Sequence, residues 1–210
     1  MATVGERRAT LIPQPPATEA KPTLWPSDGA LVARVLEGDL EAFGVILARY
    51  QGRVYSIAAN FAANSDDASD LAQDIFLKVY RSLGGFRGQA AFSTWLYRIA
   101  VNACVDYTRR RRQATFVPLD DELALSEYDH GPGPEDAAQR RQLRAELARA
   151  IGGLSTKLRV ALILHDVEGL THEEISRIVG CSVGTTKSRL FRAREEMRRR
   201  LAPPSEETKK

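Results

Sequence analysis

The sequence predicts an all-α protein of two small helical domains joined by a flexible acidic linker, with a helix-turn-helix in the C-terminal domain. Three observations predict it. Apolar residues recur every three or four positions through residues 29–112 and again through 140–200, the period of helices buried on one face. A stretch rich in glycine, proline and carboxylates separates the two blocks. Near the C-terminal end a short capped helix, a glycine and a strongly basic helix follow one another.

Charge and composition narrow the class. The 210 residues carry a net charge of +3, unevenly spread. Residues 113–136 hold seven acidic groups and no Lys or Arg, whereas residues 29–112 and 137–210 are net basic. Two basic blocks around an acidic connector suit two modules that meet a polyanion. Each run taken singly reads equally well as solvated surface. The longest aliphatic run is Val160 to Leu164, far short of the ~20 apolar residues of a membrane span, so no membrane insertion is expected. Arg7 and Arg8 are not followed by an apolar stretch, so no secretory leader is expected. Two cysteines, Cys104 and Cys181, make no disulfide framework and point to a reducing cytoplasm.

The elements follow in chain order. Residues 1–28 contain Pro13, Pro15, Pro16, Pro22 and Pro26 with no apolar period, and predict a disordered tail. Helical spacing runs from Ala30 to Leu36 and from Ala42 to Tyr50, broken at Gly38-Asp39, where Asp39 caps the second helix. A longer helix follows Asp66, with Ala68, Leu71, Ala72, Ile75, Phe76, Val79, Tyr80 and Leu83 on its inner face. Its other face carries Asp70, Gln73, Asp74, Leu77 and Lys78, an acidic surface interrupted by a leucine, which suits either a docking face or ordinary solvated surface. After Gly84-Gly85 comes the loop FRGQAAF, then a helix from about Ser93 to Arg112. Phe92, Trp95, Leu96, Ile99, Ala103 and Tyr107 line its inner face. Arg98, Asn102, Val105 and Arg109 share another, ahead of the run Arg109–Arg112. Asn and Arg are residue types that read base edges and hold phosphates. Phe86 and Phe92 are candidates for stacking unpaired bases or, equally, for the core.

The second block, residues 137–202, begins with a helix over 140–151 that turns Leu143, Leu147 and Ile151 inward. Another starts near Ser155, with Leu158, Ala161, Leu162 and His165 on one side. Thr171 and Glu174 then form a capping box, Ile175, Ile178 and Val179 an apolar stripe, and Gly180 the stop. Ser182 caps the last helix, whose inward positions are Val183, Thr186, Leu190, Ala193 and Met197. A capped helix, a glycine turn and a basic second helix make a DNA-binding helix-turn-helix. Residues 203–210 are a tail.

With both blocks read, the chain resembles the extracytoplasmic-function sigma factors of the sigma-70 family. The resemblance rests on GDLEAFGVILARY, DLAQDIFLKVYRSL, FRGQAAFSTWLYRIAVNACVDY and LTHEEISRIVGCSVGTTKSRLFRAREE, in that order and spacing, over about residues 29–202. It implies a region 2-like domain at 29–112, a linker at 113–136 and a region 4-like domain at 137–202. It implies that Asp70, Gln73, Asp74 and Leu77 dock on core RNA polymerase. It further implies that Phe86, Arg98, Asn102 and Arg109 act at the −10 element, with Phe86 and Asn102 holding a flipped base. At the −35 element it implies Thr185, Lys187, Ser188, Arg189, Phe191 and Arg192, with Arg189 and Arg192 on phosphates. Core RNA polymerase, promoter DNA and an anti-sigma factor are the implied partners. The acidic linker would thread the polymerase near the nascent RNA. Asp106, one turn after Asn102, departs from the pattern, because a carboxylate sits poorly beside DNA.

No enzyme is expected, and neither a cofactor nor a metal. His130, His165 and His172 are scattered, the cysteines lie in different blocks, and no phosphate-binding loop or nucleophile motif occurs. Two other classes stay open: a stand-alone helix-turn-helix regulator of duplex DNA, and a sigma-mimicking adaptor that binds partners without melting DNA. The first leaves the acidic helix and the FRGQAAF loop without a purpose. The second has no use for Phe86 and Asn102 beside a basic C-terminal helix.

Overall fold

The computed structural model describes residues 26–114 and 134–202, and every regular element among them is helical. Residues 1–25, 115–133 and 203–210, which hold most of the predicted tails and linker, lie outside the described residues. Helices reach into both ends of the span 113–136 predicted as linker. Residues 113–114 complete one helix and residues 134–136 open the next.

The first module is built from α1 (Asp28–Leu36), α2 (Leu40–Ala59), α3 (Ser65–Ser82) and α4 (Phe92–Ala114). Asp39 caps α2 as predicted, accepting from the Ala42 amide at 3.2 Å, and Arg34 anchors the same carboxylate. α3 starts earlier than predicted. Asn64, a strong cap that the acidic run obscures, accepts from the Asp67 amide at 2.8 Å. A single 3-10 turn, Leu83–Gly85, ends α3 and turns the chain into the FRGQAAF loop. The inner faces bury Ile46, Val54, Ile57, Ile75, Val79, Leu96, Tyr97 and Ala100 in one cluster. Tyr80 is a correction: it is exposed and lies edge-on to Phe43, with ring centroids 4.9 Å apart.

The second module comprises α5 (Pro134–Gly152), α6 (Thr156–Leu162), a π-type turn over Ile163–Val167, α7 (His172–Val179) and α8 (Val183–Leu201). Its own core is small: Leu154, Leu162, Leu190 and Ala193 are buried, with Ile151, Leu158 and Met197 against them. Leu143, predicted inward, is 55% exposed, whereas Ala148 and Ala150 are buried among the described residues of α5. Ile151 does pack inward, half-buried against both clusters, so the predicted stripe holds at its C-terminal end and fails at Leu143. His165 also departs from an apolar face. It is half-buried, with Nδ1 2.7 Å from the Asp166 carboxylate, and its ring meets that of His172 edge-on at 4.8 Å.

The modules touch, an arrangement that periodicity left undetermined. α7 packs on α4, and Val160, Ile163, Leu164, Ile175 and Ile178 join the same buried cluster as Leu96, Tyr97, Ala100 and Val101.

Candidate nucleic-acid interface

The exposed side of α4 forms the first part of the surface. Positions 95, 98, 102 and 109 fall on one stripe at spacings of three, four and seven. Asn102 is exposed. Arg98 is exposed and donates to the Arg177 carbonyl of α7 at 3.1 Å. Arg109 is exposed and paired with Asp106 at 3.1 Å, so the carboxylate that looked misplaced has a partner on its own helix. Phe86 stands half-buried at the N-terminal end of α4, edge-on to Phe92 at 5.4 Å and tilted against Trp95 at 5.4 Å. Phe92 itself is buried core, so only Phe86 of the two remains available for stacking. Trp95, expected on the inner face, is half-buried on the Asn102 side, two turns or ~10 Å along the axis. Phe86 and Trp95 make an aromatic shelf at one end of the stripe. Counting seven residues back from Asn102 finds Trp95 in the sequence.

α4 is fixed to its neighbours by polar ties. Tyr107 donates to Asp67 at the start of α3, at 2.8 Å, and Arg53 of α2 donates to the Tyr97 hydroxyl at 3.1 Å. Burial, then the Asp67 carboxylate, pushes the Tyr107 hydroxyl up, so it stays a donor.

On α3, Asp70, Gln73, Asp74 and Leu77 are all exposed and line one face, with Leu77 at 45%. Beside them runs an apolar groove of about 1330 Å³ between α2 and α3, lined by Leu40, Phe43, Leu47, Phe76, Leu77 and Tyr80. Leucine and tyrosine edging a groove beside carboxylates suit a partner that offers apolar and basic side chains.

The helix-turn-helix is assembled by local chemistry. Thr171 accepts from the Glu174 amide at 3.2 Å while Glu174 accepts from the Thr171 amide at 2.8 Å, the reciprocal box expected. Gly180 closes α7 at φ +68°, a conformation that favours glycine. Ser182 accepts from the Thr185 amide at 3.1 Å. Thr186, Leu190 and Ala193 are buried, which turns Lys187, Ser188, Phe191 and Arg192 outward on one face, Phe191 at 68% exposure. Thr185 is half-buried and its hydroxyl meets Ser182 at 2.9 Å. Arg189 leans back toward the turn, 3.6 Å from the Cys181 sulfur. Behind α8, Arg194 binds Asp166 of the π-type turn. Burial alone raises the Asp166 carboxyl, but hydrogen bonds from Arg194 and His165 outweigh it and hold it below the usual range.

The comparisons with known proteins agree with this division. The profile of Sigma-70 region 2 matches residues 46–114, and that of Sigma-70 region 4 matches residues 144–197. The chain is 39% identical over 182 residues to the RNA polymerase sigma-H factor of Pseudomonas aeruginosa, covering 84% of this chain and 94% of that protein. It is 39% identical over 183 residues to the ECF RNA polymerase sigma-E factor of Escherichia coli K12, covering 84% and 95%. Among solved structures, the sigma factor RpoE of Bartonella quintana in complex with the anti-sigma factor NepR superposes with a TM-score of 0.61 at 25% identity, covering 76% of this chain and 96% of that one. A chain with both sigma modules in this order, and relatives matched over nearly their whole length, belongs to the extracytoplasmic-function sigma factors of the sigma-70 family.

Proposed function

We propose that this chain starts transcription by binding core RNA polymerase, recognising −35 and −10 promoter elements and promoting DNA melting. Residues 29–112 dock the polymerase through Asp70, Gln73, Asp74 and Leu77, and act at the −10 element through Phe86, Arg98, Asn102 and Arg109. Residues 137–202 read the −35 element through Thr185, Lys187, Ser188 and Phe191, with Arg189 and Arg192 on phosphates. The observation that carries this reading is the coexistence of two different reading surfaces on one chain. One is a flat basic helix bearing an exposed Phe191, suited to a duplex groove. The other is a helix bearing Asn102 in line with an aromatic shelf, suited to an unstacked base.

The role is non-catalytic, and working with RNA polymerase places the chain in the cytoplasm. The Bartonella relative is seen with an anti-sigma factor. An inhibitor of that kind covering the α2–α3 groove and the α3 face would block polymerase docking. Run-off transcription with core polymerase, with and without the chain, on fragments that include its own upstream region tests the reading. Discrete transcripts that depend on the chain support it. Core binding without transcripts favours an adaptor, and specific duplex binding without core binding favours a stand-alone regulator.

A further inference from the structure

The groove between α2 and α3 gathers large apolar side chains on one surface, the mark of a binding site. Phe43, Tyr55, Phe76 and Tyr80 line it. Phe43 meets Tyr80 edge-on at 4.9 Å, which sets the start of α2 beside the end of α3. At that end Leu40, Leu77 and Tyr80 are 65%, 45% and 42% exposed. The chain also enters the module at this groove. Arg49, part of the lining, donates to the Pro26 carbonyl at 2.9 Å and pairs with Asp28, and Tyr50 donates to the same Asp28 carboxylate at 2.6 Å. Whatever precedes Pro26 therefore starts beside the groove. In sequence that is Lys21, Pro22, Thr23, Leu24 and Trp25, with Pro13, Pro15 and Pro16 farther back.

We propose that residues 21–25 lie back along the α2–α3 groove, with Leu24 and Trp25 against Leu47 and Phe43, so that the chain covers its own docking surface until a partner displaces the tail. The lengths agree. From Arg49 to Leu40 is nine helical steps, ~13.5 Å at 1.5 Å per residue. Five extended residues cover ~15 Å at ~3.1 Å each. The chemistry agrees as well. A proline-bearing segment is already extended, so it loses little entropy on lying against aromatic rings. The residue before a proline is held extended too, which fixes Trp25 ahead of Pro26. The tether keeps the segment at an effective concentration of about millimolar, so even a weak contact covers the groove. Leu77 belongs both to the groove and to the α3 face on which polymerase is placed, so a seated tail and a docked polymerase exclude one another. That consequence rests on the sigma reading, whereas the seat itself does not.

The test uses the full chain with 5-fluorotryptophan at its two tryptophans, Trp25 and Trp95, and a synthetic peptide of residues 15–30 as the reference for an unseated tail. In the fluorine spectrum Trp25 is expected away from its position in the peptide and shielded from a soluble gadolinium chelate. L40E and Y80S each change an exposed groove residue. Each is expected to return Trp25 toward the peptide position while Trp95 keeps its own, which shows that the module stays folded. With about nine-tenths of the chains covered, L24S/W25S is expected to bind core polymerase about tenfold more tightly than the wild type. Trp25 at the peptide position in the wild-type chain overturns the proposal. So does a displaced Trp25 that ignores both groove variants. Displacement only at concentrations where light scattering finds a dimer gives the groove to a second copy and overturns it too. A Trp25 that responds as described, in a chain whose L24S/W25S variant binds polymerase no more tightly, supports the seat and sinks the placement of polymerase on this face.

Discussion

Leu190 and Phe191 are neighbours in sequence on different faces of α8, one buried and one exposed, and substituting each for alanine should separate folding from reading. Leu190 is 3% exposed and belongs to a buried set of four that includes Leu154, Leu162 and Ala193. Leu→Ala at such a site costs about 2–5 kcal/mol from lost burial plus the cavity left behind. So small a set has few side chains able to relax into the gap, so a value near ~3 kcal/mol is expected. Phe191 stands 68% exposed, so Phe191→Ala should change stability by no more than about 0.5 kcal/mol. As a contact to a base edge or thymine methyl it should instead cost about 1 kcal/mol or more of sequence discrimination, roughly fivefold in affinity. Denaturant unfolding followed by circular dichroism gives the first pair of numbers. Fluorescence anisotropy on a −35 duplex, well below the unfolding midpoint, gives the second. Equal destabilisation by the two substitutions, or a Leu190→Ala cost below about 1 kcal/mol, would refute the packing of α8 described above.

Four further outcomes are expected. Asn102→Ala should leave polymerase docking and duplex binding intact but impair promoter opening, read by permanganate footprinting of unpaired thymines; normal opening would remove Asn102 from the −10 surface. Arg192→Ala should weaken binding to all duplexes alike and reduce the slope of log affinity against log salt by about one, which a salt titration measures. Burial first, then His165 and Lys187, lower the His172 pKa. A depressed imidazole takes up its proton more readily in the unfolded chain. Its share of stability is therefore complete above about pH 6.5 and declines as the pH falls through that value, and denaturant midpoints at pH 7.5 and 5.5 should differ less in His172→Gln than in the wild type. Cys104 is fully buried and burial pushes its thiol up to about 12, whereas Cys181 is half-buried. Iodoacetamide at pH 8 should alkylate Cys181 in the native chain and reach Cys104 only on unfolding, as peptide mass spectrometry would show.

What was legible in the sequence is what local chemistry decides. The Thr171–Glu174 box, the Gly180 stop and the Ser182 cap are each settled within four residues, so the helix-turn-helix could be written down from them. The α3 face was legible because Asp70, Gln73, Asp74 and Leu77 repeat at helical spacing opposite an apolar stripe. Periodicity names a face without saying what covers it, and the errors gather there. Tyr80 lies at the edge of the α3 stripe and turns outward to Phe43, while Trp95 lies between the inner and outer faces of α4. The burial of Arg159 has no signature in the sequence, since no rule of spacing buries an arginine. Buried at 6% exposure, its guanidinium lies 5.5 Å over the Phe61 ring that follows α2, a contact far apart in sequence.

The π-type turn at Ile163–Val167 carries a consequence for how this module can vary. The Glu168 amide reaches back five residues to the Ile163 carbonyl at 3.0 Å, so the helix holds one residue more per turn there than an α-helix does. Within the turn each residue advances the helix by less than the ~100° of an α-helix, so side chains at 165 and 166 leave it in directions an α-helix would not give them. Those directions place Asp166 under Arg194 and His165 beside His172. A chain with one residue fewer at this point would close the turn as an α-helix and lose those directions. Its recognition helix would then need another anchor in place of Asp166, so length variation at a single position would be coupled to the residue at 194.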